Sequence, residues 1–135
     1  MAVHFPFEVH TPYRRFFAGQ VQAITVSLVD GEITVYANHS FFTAPVSTGL
    51  LRIKGENGEW KNAFVTDGIL EVKDHKTILM VDTAEWPQEI DRERAQAAMK
   101  SAIQNLQSGM LKFEMDNARA GLRRARMRLK VADQG

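Results

Sequence analysis

The chain has 135 residues, 44% of them apolar, with no cysteine and a formal net charge of +1. That is room for one domain, or a small domain with an appendage, around a modest core. It excludes a large enzyme, a disulfide framework, a thiolate nucleophile and a cysteine zinc site. The near-neutral total hides an asymmetry. Residues 1–90 hold seven Lys and Arg against eleven Asp and Glu, whereas residues 111–135 hold seven against three. A split of this kind suggests a basic tail that meets an acidic partner or folds back on its own acidic body, with a solvated helix face as the plainer reading.

The opening stretch "MAVHFPFEVHTPYRR" lacks the basic-then-apolar layout of a signal peptide. No run approaches the roughly 20 apolar residues of a membrane span, so a soluble, cytoplasmic chain is expected. As far as Asp82 the pattern is that of strands. "VQAITVSL", "EITVYA", "LLRIK", "KNAFVT", "ILEVK" and "KTILMV" are short β-branched or aromatic runs, separated by turn signals such as "VDGE", "GENGE", "TDG" and "KDHK". Short strands at close spacing predict a β-sandwich or flattened barrel, with hairpin loops at residues 54–59 and 73–76. Pro12 and Pro45 belong at strand ends or edges, since proline cannot donate to a ladder.

After "DTAEWPQ" the period changes. Ala95, Ala98, Met99, Ala102, Ile103 and Leu106 fit one face of an amphipathic helix. Gly109 interrupts it. A second helix carries Leu111, Met115, Ala118, Leu122, Ala125, Leu129 and Ala132, alternately four and three apart, which is a heptad seam. The fold class expected is therefore α+β: an N-terminal antiparallel β-sandwich over residues 1–87, then an antiparallel α-helical hairpin over residues 88–135. Because alanines alternate with larger residues along the seam, the hairpin should be held weakly and be open to exchange with another surface. A permanently docked hairpin is the alternative.

The inventory for catalysis is poor. His4, His10, His39 and His75 form no i, i+4 pair, no Gly-rich phosphate loop is present, and no nucleophile elbow surrounds a serine. This argues against an enzyme and against a resident metal. The basic cluster says more. Arg119, Arg123, Arg124, Arg126, Arg128 and Lys130 surround most of the second helix outside its seam. Nucleic acid, an acidic protein surface and a small anion compete for such a helix, and nucleic acid is the weakest candidate, lacking an aromatic platform and facing an acidic body. The stretch "EIDRERA" offers Asp91 as a helix cap. If the hairpin turns about Gly109, Arg94 lies opposite Arg124, and Asp91 lies near Arg128. Three arginines with one or two carboxylates then gather at the open end, an arrangement that asks for a phosphate-bearing ligand.

Taken together, "GEITVYANHSFFTAPVSTGLLRIK", "FVTDGILEVKDHKTILMVDTAEWPQEIDRERAQAA" and the terminal basic helix resemble the epsilon subunit of the bacterial F-type ATP synthase across essentially the whole chain. The family's "GELG-(L/Y)-PGHAPL" stretch is met by Gly31, Glu32, His39 and Phe42, and its "SGGFLEV" stretch by "TDGILEV". Thr34 and Asn38 stand where the family usually has glycine, and Trp86-Pro87 is unusual. The resemblance implies a non-catalytic rotor subunit, peripheral on the cytoplasmic face of the bacterial membrane. Its sandwich would bind the gamma subunit and the c-subunit ring, and its helices would extend into the alpha/beta catalytic head to inhibit ATP hydrolysis.

By matched position the resemblance assigns ATP, a regulatory ligand with or without Mg²⁺, to Glu85, Asp91, Arg94, Arg124 and Arg128. It places Glu32 and His39 on or near the gamma and c-ring surface, though a plain turn acid and a loop histidine would account for them equally. It casts Arg119, Arg123, Arg124, Arg126, Arg128 and Lys130 as the inhibitory face. No permanent cofactor is implied. A free-standing nucleotide- or anion-sensing sandwich with a helical lid is the alternative from another class.

Overall fold

The computed structural model describes residues 3–74, 76–108 and 112–134, without the side chains of Phe113 and Gln134. The chain divides into two compact units, Met1–Glu85 and Trp86–Gly135. The first is built from nine strands: β1 Phe5–His10, β2 Arg15–Leu28, β3 Gly31–Tyr36, β4 Phe42–Val46, β5 Gly49–Gly55, β6 Trp60–Val65, β7 Gly68–Val72, β8 Thr77–Val81 and β9 Ala84–Glu85. They run in the order β4-β7-β8-β1-β2-β5-β6-β9, with β3 also on β2.

The 14-residue β2 makes this a sandwich. Its first half pairs with β1 up to Val21↔Phe5, and its second half pairs with β3 and, from Val21↔Gly55, with β5. A register irregularity between Val21 and Ala23 marks the place where the strand passes from one layer to the other. Alternate side chains of both layers then fill one core: Phe7 and Val9, Ile24 and Val26, Val35, Leu51 and Ile53, Phe64, Leu70 and Leu79 are all sealed from solvent.

The runs read as strands in the sequence are strands; the loop expected at 54–59 is shorter, since Lys54 and Gly55 belong to β5, and the loop expected at 73–76 falls between β7 and β8, with His75 outside the described residues. Pro45 lies on the edge strand β4, and Pro12 in the turn before β2. Strands β1, β4 and β9 are additions that the sequence pattern did not disclose. Pro6 and Pro45 mask the first two, and β9 is only two residues long. Pro6 is harmless because the β1–β8 ladder begins at Phe7. That ladder is parallel, the one departure from the antiparallel plan among the described pairings.

In the second unit a 3-10 turn, Pro87–Glu89, leads into α1 Arg92–Gln107, and α2 Lys112–Gln134 packs against α1. Trp86-Pro87 suits this entry. Proline takes the first position of the turn, where no N–H is needed, and the Trp86 N–H donates to the Glu89 carboxylate at 2.9 Å. Ala95 and Ala102 are buried on α1, whereas Ala98, expected on the same face, is exposed. On α2, Ala125 and Ala132 are buried as the heptad predicts, and so is Val131, which the heptad omits. Gly109 and Leu111 lie outside the described residues.

Two predictions follow from the first unit. A Cβ at Gly68 would stand 2.0 Å from the Met80 carbonyl oxygen, whereas one at Gly19 would meet only the Phe17 ring at 3.5 Å. Gly68→Ala should therefore cost about 1–3 kcal/mol, seen as a lower denaturation midpoint, while Gly19→Ala leaves the midpoint nearly in place. The second concerns Glu8, whose carboxylate accepts from Lys76 and from His10 Nε2 at 2.9 Å. Lys76 first and His10 second hold its pKa below the ordinary 4.5, against a smaller opposing effect of burial. A carboxyl depressed on folding stabilises above its unfolded pKa and loses that contribution as pH falls through the folded one. Melting temperature followed downward from pH 5 should fall more steeply for the wild type than for Glu8→Gln.

Candidate functional site

Two regions carry the residues singled out in the sequence. In the sandwich, Glu32 is exposed near the start of β3, paired in the backbone with Ser27 and close to the bare tip of the β2–β3 turn at Val29, 83% exposed. His39 follows the other end of β3. At roughly 3.3 Å per residue, the length of that strand separates the two, so they do not form one cluster. The His39 ring lies against Phe42 at 5.2 Å between centroids, beside Phe41, whose side chain is 68% exposed.

Asn38 has φ 62°, the left-handed region in which glycine is at ease and asparagine is the best-tolerated alternative. The turn that a glycine would make is thus kept. Thr34, the other residue in a glycine's place, is an ordinary β3 residue whose hydroxyl hydrogen-bonds the Thr25 hydroxyl at 2.9 Å. A cavity of about 600 Å³ opens behind the loop, lined in part by His4, Tyr36, His39, Lys73 and Lys76. Its two lysines are engaged with carboxylates, Lys73 with Glu71 at 3.3 Å and Lys76 with Glu8.

In the helical unit, Asp91 is the N-cap of α1. Its Oδ1 accepts from the Arg94 N–H at 3.0 Å, and its own carbonyl accepts from Ala95 at 3.0 Å. Asp91 and Arg94 are thereby brought together through backbone and carboxylate, with the Arg94 side chain exposed. On α2, Arg124 and Arg128 share a face at i, i+4. Arg124 is exposed, with its guanidinium beside Gly121, and Arg128 is half-buried. Arg119 pairs with Asp116 at 3.8 Å, and Arg123, Arg126 and Lys130 project into solvent. Glu85 belongs to β9 of the other unit, opposite Phe64, and is half-buried.

The sequence missed Arg92. Its guanidinium pairs with the Asp133 carboxylate and donates to the Ala132 carbonyl at 2.7 Å. A hinge on Gly109 would have set residue 92 near Arg126, so the helices are shifted along each other by more than a turn from that expectation. Counted antiparallel from the observed contact, Arg94 is level with about Lys130. At 1.5 Å per residue, Arg128 then lies within one helical turn of that level, and Arg124 nearly two turns away. The open end of the hairpin carries both signs of charge: Arg94, Arg128 and Lys130 share it with Asp91 and Glu93, and Asp133 pairs with Arg92. Among the described residues no group of three or more His, Asp or Glu is placed to hold a metal, and no helix is long and apolar enough to cross a membrane.

The described residues form a β-sandwich and a helical hairpin whose charged groups are spread over surfaces. The comparisons name the assembly. Residues 4–87 match the ATP synthase Delta/Epsilon chain beta-sandwich domain, and residues 88–133 match the long alpha-helix domain of the same chain. The ATP synthase epsilon chain of Caldicellulosiruptor bescii is 42% identical over 130 residues, 96% of this chain and 94% of that one. That of Caldanaerobacter subterraneus is 42% identical over 131 residues, again 96% and 94% of the two chains.

Similar folds occur in solved mitochondrial ATP synthases. One is a chain of the Euglena gracilis OSCP/F1/c-ring structure, at TM-score 0.84 and 20% identity over 98% of this chain and 82% of that one. Another is a chain of the Tetrahymena thermophila central stalk/c-ring structure, at TM-score 0.64 and 17% identity over 95% and 96%. The chain belongs to the ATP synthase delta/epsilon chain family, as a non-catalytic subunit of the central stalk.

The Asp91 cap gives this site its prediction. Asp91→Ala should lower the stability of the helical unit by about 0.5–2 kcal/mol, whereas Asp91→Asn, which keeps an acceptor for the Arg94 N–H, should lose much less. Helical ellipticity followed through a thermal melt separates the two variants.

Proposed function

We propose that this subunit couples gamma to the c ring through its sandwich and restrains ATP hydrolysis through its helices, with ATP favouring the closed hairpin. The observation that carries the reading is the match of both units, in order, to the sandwich and long-helix parts of one family. The two similar structures, an assembly of F1 with a c ring and one of the central stalk with a c ring, support the placement. In a bacterium that position is peripheral, on the cytoplasmic face of the cell membrane. Glu32 and Val29 at one end of β3, and His39 with Phe41 at the other, offer exposed acidic, apolar and aromatic surface for gamma and the c ring.

The restraint follows from the charges on α2. Arg119, Arg123, Arg124, Arg126 and Lys130 are exposed, Arg128 is partly so, and an extended helix would present them to carboxylates of the alpha/beta head. ATP acts through differential contact. Arg94 and Arg128 lie close only while α1 and α2 are paired, so a polyphosphate bound between them favours the closed state. Asp91 and Arg124 complete the ligand set within the helical unit, with Mg²⁺ as an optional companion of the phosphates. The shift in the equilibrium equals the ratio of affinities for the two states, and a hundredfold ratio corresponds to about 2.7 kcal/mol.

The test is made in the reassembled ATPase. A chain ending at residue 109 should assemble normally and raise ATP hydrolysis several-fold, and in the full chain Arg94→Ala with Arg128→Ala should abolish calorimetric ATP binding. Hydrolysis equally latent without α2 would move the restraint to another subunit. ATP binding undiminished in the double variant would remove the ligand from the hairpin.

A further inference from the structure

The last turn of α2 has a problem that α2 does not solve itself. Carbonyls in the final turn of a helix have no intrahelical donors, and the negative end of the helix dipole favours a cation there. The last turn of α2 contains no basic residue. It contains Asp133 instead, a carboxylate at the wrong end of the dipole. Arg92, 40 residues earlier on the other helix, supplies what is missing: an N–H to the Ala132 carbonyl at 2.7 Å and a cation for Asp133.

We propose that Arg92 is a latch, a C-cap donated by one helix to the other, which holds the hairpin closed before any nucleotide arrives. When the hairpin opens, the Ala132 carbonyl loses its donor and Asp133 faces the helix dipole alone, so opening costs both interactions together. The small side chains buried along the helices, Ala95, Ala102, Ala125 and Ala132, leave such an end contact a large share of the closing free energy. Arg92 and Asp133 are about half and two-thirds exposed, so salt weakens their pairing while leaving the neutral carbonyl bond mostly intact. The latch refines the reading in which hairpin closure is the regulated step. It acts without ATP, so it can fail while ATP binding stands, and the reverse.

The experiment uses the full chain, free of nucleotide, with spin labels at Gln96 and Lys130, both on exposed positions. In wild type the separation should be narrow and short. Arg92→Ala and Asp133→Asn should each raise the long-separation population, about three- to tenfold for Arg92→Ala and less for Asp133→Asn, which spares the carbonyl bond. The double variant should fall short of the product of the two single effects, since both break one pairing. Raised salt should narrow the difference between wild type and Asp133→Asn, since it weakens the pairing that only wild type has. Lys100→Ala, which removes an exposed cation of α1 remote from that contact, should behave as wild type. A distance distribution in Arg92→Ala that superposes on wild type, or effects that multiply fully in the double variant, would overturn the latch.

Discussion

The helical hairpin is closed across alanine. Ala95, Ala102, Ala125 and Ala132 are its buried positions, with Val131 the larger buried side chain among them, while Met99, Ile103, Leu106, Leu122 and Leu129 remain partly exposed. An alanine methyl contributes about 0.8 kcal/mol on burial, against roughly 1.5–3 kcal/mol for a leucine. Small residues let two helices approach closely but give them little reason to stay. The pairing then draws on what surrounds the seam: the Asp91 cap that starts α1 and the Arg92 contact that ends α2. Interactions of that size can be outweighed by a competing surface, which is what the proposed regulatory role needs.

The sandwich is built on the opposite principle. Its core is Phe, Ile, Leu and Val sealed on every strand from β1 to β8, and β2 threads both layers, so neither can be removed without losing the other's partner. Side-chain hydrogen bonds tie its turns as well. Asp67 Oδ1 accepts from the backbone N–H and the hydroxyl of Thr48 at 2.7 and 2.8 Å, joining the turn before β7 to the turn before β5. One chain thus combines a densely packed body with an appendage joined across small residues, a division that suits the coupling and regulation proposed for it.

Legibility followed the strength of the local signal. Strands with alternating β-branched residues and Gly- or Asp-marked turns were plain, as was the change of period near Glu89. Of the three strands that escaped, β1 and β4 contain proline, which lowers a strand reading whatever its neighbours do, and β9 is only two residues long. The parallel β1–β8 pair escaped because partner and direction are tertiary properties. In the hairpin, composition disclosed the weak seam and the cap at Asp91, but not the register. A turn of unknown length leaves the helices free to slide, and a slide of a few residues moves a helix by a full turn. Arg92 was invisible for the same reason: its partners are 40 and 41 residues away, and nothing local marks them.

Two sets of charge in the hairpin bear differently on the regulation proposed for it. Arg92 is matched by an acid and a carbonyl, so it favours closure in any solution of moderate salt. Arg94, Arg128 and Lys130 share that end with the acids Asp91 and Glu93, and on the proposed reading a polyphosphate adds to closure by bridging arginines of both helices. On that reading closure rests on a constant contribution and a conditional one. The constant part fixes how often the hairpin opens when no ligand is present, and the conditional part fixes how far ligand can shift that frequency. A chain with a stronger seam would leave the anion little to do. One without the Arg92 contact would ask the anion to supply the whole difference, and at low ligand concentration the helices would be released without restraint.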